Sequence, residues 1–122
     1  MLNKTKIIQD LFERFEDIRY VAIYTNNELI SKQKLQFNNS SDVDTDKYEE
    51  LLVNPTLLTL ARQRGNIDCG GLRFIIIGYG NFFQLIKEVV GGHISICLDK
   101  YSDLSNVSDE IISFLKLQYP NF

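Results

Sequence analysis

Apolar residues along this chain change period several times, and each change marks an element. Ile7, Ile8, Leu11, Phe12 and Phe15 recur at helical spacing, with Asp10, Glu13 and Arg14 on the other face. This predicts an amphipathic helix of about three turns. Tyr20 to Thr25 is a strand rich in β-formers, and Asn26-Asn27 suits a turn because Asn tolerates the left-handed region. Leu29 to Phe37 alternates weakly and carries Lys32 and Lys34, as a protected sheet edge does. Asn38 to Asp46 is polar and predicts a loop. Lys47 to Arg64 predicts a helix. Within it, Asn54-Pro55 suits an N-cap followed by proline at a first helical position, and Gly65-Asn66 closes the run. Three short strands follow. Leu72 to Ile77 turns at Gly78-Tyr79-Gly80-Asn81, and Phe82 to Val90 turns at Gly91-Gly92, a preferred two-residue hairpin loop. His93 to Leu98 is the third. A last helix begins at Ser102 or Ser105, carries the stripe Leu104, Val107, Ile111 and Leu115, and ends at Tyr119-Pro120.

The predicted order is α-β-β-α-β-β-β-α, an α/β (α+β) domain. Short loops make the first two strands a hairpin and the last three a meander, so the sheet is mostly antiparallel. Central pairing of the first and last strands gives the spatial order 2-1-5-4-3. The Lys-bearing second strand is then one edge and Leu72 to Ile77, apolar on both faces, is the other. Helices must cover both faces of such a sheet. A long apolar edge with free backbone groups invites a partner strand.

Taken as one helix, the middle segment points apolar side chains in nearly every direction. Tyr48, Leu51, Leu52, Val53, Leu57, Leu58, Leu60 and Ala61 form no single stripe. A helix apolar all round is buried all round, so one side packs on the sheet and the other meets a second chain. The alternative is that Pro55 resets the phase, giving two short helices that share one buried face.

Composition narrows the class. The 122 residues make one domain, residues 1–122, expected to bury roughly two-thirds of its unfolded surface. Thirteen basic against sixteen acidic residues give a net charge of −3, which argues against a nucleic-acid footprint. Two cysteines, Cys69 and Cys97, do not make a disulfide framework. Gln9, Asp10 and Glu13 interrupt the apolar residues near the N-terminus, so no signal peptide is expected there. No run reaches the ~20 apolar residues that span a bilayer. A reducing compartment, the cytoplasm, is the expectation.

Motifs that carry chemistry fail on spacing. Gly78-Tyr79-Gly80 follows a strand as a dinucleotide loop would, but Phe83 stands at the third glycine and a strand follows. Asp42, Asp44 and Asp46 imitate three calcium ligands, yet Lys47 and Val53 occupy the positions that need glycine and glutamate. His93 and Cys97 lie about 13 Å apart along a strand, too far for one zinc ion at about 2.0–2.3 Å from each ligand atom. Cys69 with His93 stays open as a pair, with nothing to support it. The expectation is no catalytic, cofactor-binding or metal-binding residue.

The element order resembles the Roadblock family, named after the roadblock-type dynein light chains. The likeness spans about Leu11 to Leu115. It rests on the Tyr20–Thr25/Leu29–Phe37 hairpin, the long helix ending Arg62-Gln63-Arg64-Gly65, the meander with Ile75-Ile76-Ile77-Gly78-Tyr79-Gly80, the run Gly91-Gly92-His93-Ile94-Ser95-Ile96-Cys97-Leu98, and the closing helix. Asn26-Asn27-Glu28, where the family often has glycine, and Pro55 depart from the pattern. The resemblance implies a non-enzymatic homodimer or heterodimer that joins through the middle helix and third strand. It also implies a regulator or scaffold for a small Ras-like GTPase, or a subunit of a motor or signalling complex. The interface residues would be Leu51, Leu52, Leu57, Leu58, Ala61, Arg62, Leu72, Phe74, Ile75 and Ile76. A profilin- or PAS-like sensor of a small ligand is the runner-up, and an enzyme of unknown class is a third option.

Overall fold

Alternation along strands sorts side chains onto two faces, and that sorting organises the computed structural model, which describes residues 2–34 and 43–122. The elements are α1 (Lys4–Arg14), β1 (Ile18–Thr25), β2 (Glu28–Gln33), α2 (Val43–Tyr48), a π-helical segment (Glu49–Val53), α3 (Asn54–Asp68), β3 (Ile75–Gly78), β4 (Phe82–Val89), β5 (Gly92–Asp99) and α4 (Leu104–Gln118). The sheet has five strands in the order β2-β1-β5-β4-β3, every pair antiparallel. The class and strand order expected from the sequence therefore hold.

One face of the sheet is apolar. Val21 and Ile23 of β1, Leu85 of β4, and Ile94, Ile96 and Leu98 of β5 meet Ile7, Ile8 and Leu11 of α1 and Val107, Ile111 and Leu115 of α4. The stripes expected on the first and last helices are the ones buried. A hydrogen bond from the Tyr119 hydroxyl to Asp10 ties the end of α4 to α1. It holds the Asp10 carboxyl below the usual carboxylate range. The α4 N-cap is Asp103, whose side chain accepts from Ser105 N–H, one residue from the predicted start. The other face, under the middle helices, is much more polar and is described below.

Four expectations need correction. The middle helix does not restart at Asn54-Pro55. Pro55 has no N–H, and its ring crowds the carbonyl four residues back. The chain widens just upstream instead: Asn54 N–H bonds the Glu49 carbonyl five residues back, and φ/ψ stay helical from Val53 into Asn54. Asn54 is thus not a cap, and its side chain turns to the sheet. Nor do Gly65-Asn66 end the helix. It runs to Asp68 and stops at Gly70-Gly71, both with φ in the left-handed region (79° and 93°). The helical run also starts earlier, since Val43–Tyr48 is helix where a polar loop was expected. The remainder of that expected loop, Asn38 to Asp42, and the expected end of the second strand at Phe37 lie outside the described residues.

The fourth correction concerns the β4–β5 turn. Asn26 and Asn27 both take positive φ, as the first hairpin requires. In the second, Val89 pairs with Gly92, so the loop is Val90-Gly91 and Gly92 already belongs to β5. Gly91 supplies the positive φ (85°). Gly92 serves a different need: a Cβ there would stand 1.9 Å from the Tyr24 carbonyl oxygen of the adjoining strand. Gly92→Ala must part β1 from β5, the kind of overpacking that costs about 1–3 kcal/mol. A thermal melt followed by circular dichroism should show a midpoint lowered by about 5 °C or more.

Candidate functional site

The surface expected to meet a partner divides on inspection. Leu51, Leu52 and Leu57 are exposed, as are Tyr48, Leu60 and Ile67 of the same helical run. Leu52 and Leu60 leave 53% and 61% of their surface in solvent, an unusual density of exposed large apolar groups for one helix. Leu58 faces the other way and is buried, with Ala61 half-buried. Arg62 is drawn into an ion pair with Glu88 of β4. On the edge, the paired strand is four residues, Ile75–Gly78, shorter than the Leu72–Ile77 expected. Leu72 is half-buried and precedes β3. Phe74 and Ile76 pack against the α1/α4 core, so their side chains are already engaged. Ile75 is half-buried, opposite Ile86. An exposed helix surface and a strand edge unpaired by any described strand are therefore both present, built from fewer exposed residues than the sequence suggested.

A second feature was not anticipated. Tyr20, Gln84, His93, Ser95 and Cys97 sit on the sheet face under the middle helices, and all are buried. The π-helical segment lowers Glu50 onto them, and that side of the helix continues with Asn54. Glu50 is 1% exposed. Its Oε1 accepts from Asn54 Nδ2 at 2.9 Å and lies 2.9 Å from His93 Nε2, which is therefore the donor edge of the imidazole. Asn54 Nδ2 also approaches Ser95 Oγ (3.5 Å), and Gln84 Nε2 donates to Ser95 Oγ at 2.5 Å. Tyr20 donates its hydroxyl to Glu50 Oε2 at 3.5 Å. One chain of polar contacts thus links helix to sheet.

Beside this network lies a cavity of about 390 Å³, between the start of the middle helical run and the β3–β4 turn. Glu49, Glu50, Tyr20, Tyr79, Gln84 and Cys97 are among its walls. Tyr79 donates its hydroxyl to Glu49 Oε1 at 3.0 Å. Burial raises the Glu49 carboxyl above the ordinary glutamate range, with the neighbouring carboxylates Glu50 and Asp46 adding to the effect. Burial, then the bond to Glu49, pushes the Tyr79 phenol up to about 12. Burial and next the Glu50 charge also raise the Tyr20 phenol and the Cys97 thiol. At neutral pH these three are protonated, so Cys97 is a thiol rather than a thiolate nucleophile. The arrangement is rich in acceptors and suited to receiving a donor.

The residues weighed for metal binding are dispersed. Cys69 is exposed just after α3, beside Arg64 and Asp68, while His93 and Cys97 are on β5. Asp46 lies in α2, and Asp42 is outside the described residues. Among the described residues, no group of three or more His, Cys, Asp or Glu side chains could hold a metal ion. No described helix is long and apolar enough to cross a membrane.

Fold and site together define an α+β domain in which an antiparallel sheet carries an apolar helical layer on one face and a polar one on the other. No protein-family model matches the chain, and no curated protein matches it either.

Proposed function

We propose that the chain is a non-enzymatic, homodimeric interaction module of the Roadblock type, acting in the cytoplasm as a regulator or scaffold for a small Ras-like GTPase or a multi-protein complex. The observation that carries this reading is the pairing of an exposed apolar helix with a free strand edge. Tyr48, Leu51, Leu52, Leu57, Leu60 and Ile67 are costly to leave in water, and β3 ends the sheet with its outer backbone groups unpaired by any described strand. A second copy covers both. Nucleic acid is not a partner in this reading, since the chain carries a net negative charge.

Light scattering on the chain at micromolar concentration tests it. The expected mass is twice 14.1 kDa. Leu52→Glu with Leu60→Glu is expected to halve it while leaving thermal stability of the monomer nearly unchanged, because both side chains are exposed. A monomer mass for the unaltered chain counts against the reading. The alternative, a profilin- or PAS-like sensor of a small ligand, draws its support from the cavity beside Glu49 and Tyr79.

A further inference from the structure

We propose that a second copy of the chain docks on β3 with Ile76 on the two-fold axis, so that Arg73 of each chain reaches the Glu49–Tyr79 contact of the other. This rests on the homodimeric reading above and adds the register and the ion pair that join the copies. Charge is the first support. Glu49 is half-buried at the cavity wall and accepts from the Tyr79 hydroxyl. The charged groups acting on it are acids, Glu50 and Asp46, and among the described residues no cation pairs with it. Arg73 is the converse. It is exposed just before β3, makes no ion pair among the described residues, and lies over the ring of its neighbour Phe74 at 5.3 Å. Within one chain the unpaired cation and the unneutralised acid do not meet.

The backbone fixes how two chains can bring them together. An antiparallel bonded pair needs residues whose N–H and C=O both face the other strand. On β3 the outward residues are Ile76 and Gly78, and continuing the alternation back adds Phe74. With the axis at Ile76, Ile76 faces its own copy and Phe74 faces the partner's Gly78. Every outward residue is then paired. An axis at Ile75 spreads the pairing back to Leu72, ahead of the strand, and one at Ile77 runs it into the turn at Gly80.

Gly78 supports the same register independently. It is exposed, its φ is not positive, and an added Cβ would meet only the Phe83 ring, at 3.5 Å, an ordinary contact. No described neighbour within the chain requires glycine there. The partner's Phe74 does, because an aromatic side chain fits over the bare backbone of a glycine across an edge pairing. On the other face, Ile75 opposes the partner's Ile77 and Arg73 opposes the partner's Tyr79, at the Cα spacing of about 4.5 Å of an unbonded pair. The Tyr79 side chain rises on that face to Glu49. An arginine alongside is of similar length, so its guanidinium arrives at the same carboxylate and can donate to it in a fork. The two-fold makes the contact twice. The acceptor-rich wall of the cavity thus receives its donor from the second copy.

Cross-linking of the full chain tests the register, with Cys69→Ser throughout so that the exposed native thiol takes no part. Under a mild oxidant, Ile76→Cys is expected to link to its own copy, since a bonded pair stands at about 5.5 Å, within the disulfide range. Ile75→Cys and Ile77→Cys are expected to link when mixed. Each alone faces its copy diagonally at about 7–8 Å, beyond that range. Charge reversal tests the ion pair. Arg73→Glu should raise the dimer dissociation constant about tenfold or more, and Arg73→Glu/Glu49→Lys should recover most of that loss. The Arg73→Glu melt should be unchanged in the monomer, because the side chain is exposed. Self-linking at 75 or 77 in place of 76, an undiminished Arg73→Glu dimer, or a double variant no tighter than Arg73→Glu would overturn the proposal. In those cases a doubled mass for the unaltered chain leaves the homodimeric reading standing, whereas a monomer mass overturns both.

Discussion

His93→Leu is expected to destabilise the fold by about 3–5 kcal/mol, the cost typical of removing one member of a buried pair and stranding the other. The reason lies in what Glu50 would lose. It is 1% exposed and depends on His93 Nε2 and Asn54 Nδ2 for donors to Oε1. Leucine supplies none, so a buried carboxyl group would keep one close donor and a distant phenol. Glu50→Met should be damaging for the converse reason, since His93 and Asn54 would both face a thioether. The double variant Glu50→Met/His93→Leu should cost clearly less than the sum, because neither half is then left alone. Urea unfolding followed by circular dichroism gives all three values. If His93→Leu costs under about 1 kcal/mol, the contact is incidental and the helix is held to the sheet by other means, such as Leu58 and the Arg62–Glu88 ion pair.

Part of this network was visible in the sequence. In His93-Ile94-Ser95-Ile96-Cys97-Leu98 the polar and apolar residues alternate strictly. At strand period that places His93, Ser95 and Cys97 on one face and three aliphatics on the other. Glu50 and Asn54 are four apart, hence neighbours on one helix face. The two patterns together could have suggested a polar helix–sheet layer. What no periodicity could supply is the phase between them. The π-helical segment shifts the phase of the run, and it arises from Pro55 acting on residues before it rather than as the start of a new helix. The strand order was legible because short turns leave few topologies. Turn registers were less so: Gly91-Gly92 offers two placements of the loop, and only the close approach of Tyr24 decides that Gly92 lies in the strand. The exposed face of the middle helix was legible in kind but not in extent. Leu58 and Leu57 are neighbours in sequence, yet one is in the core and the other in solvent.

Ile75→Pro and Ile76→Pro should differ in kind, and the backbone pattern now says which is which. Tyr79 N–H bonds the Phe82 carbonyl at 2.9 Å, so Tyr79 and Phe82 are a bonded pair. Bonded and unbonded pairs alternate along an antiparallel ladder. With Ile77 opposite Gln84, Ile76 opposite Leu85 and Ile75 opposite Ile86, Ile75 N–H points inward to β4 and Ile76 N–H points out from the sheet. Proline at 75 removes a ladder bond and presses its ring toward the neighbouring strand, and about 3 kcal/mol or more of stability should go with it. Proline at 76 leaves the β3–β4 ladder whole. It trims a side chain that packs on the α1/α4 core, so some stability is lost, but the main effect falls on the outer edge. There it removes a donor that a second copy of β3 would use and blunts the edge against pairing. The expected outcome is a folded Ile76→Pro monomer and a poorly folded Ile75→Pro chain, measured by thermal melts beside mass in solution. If Ile76→Pro stays folded and dimeric, edge-to-edge pairing is excluded and association must run through the exposed leucines of the middle helix alone. Leu52→Glu/Leu60→Glu would then dissociate the dimer where the proline does not.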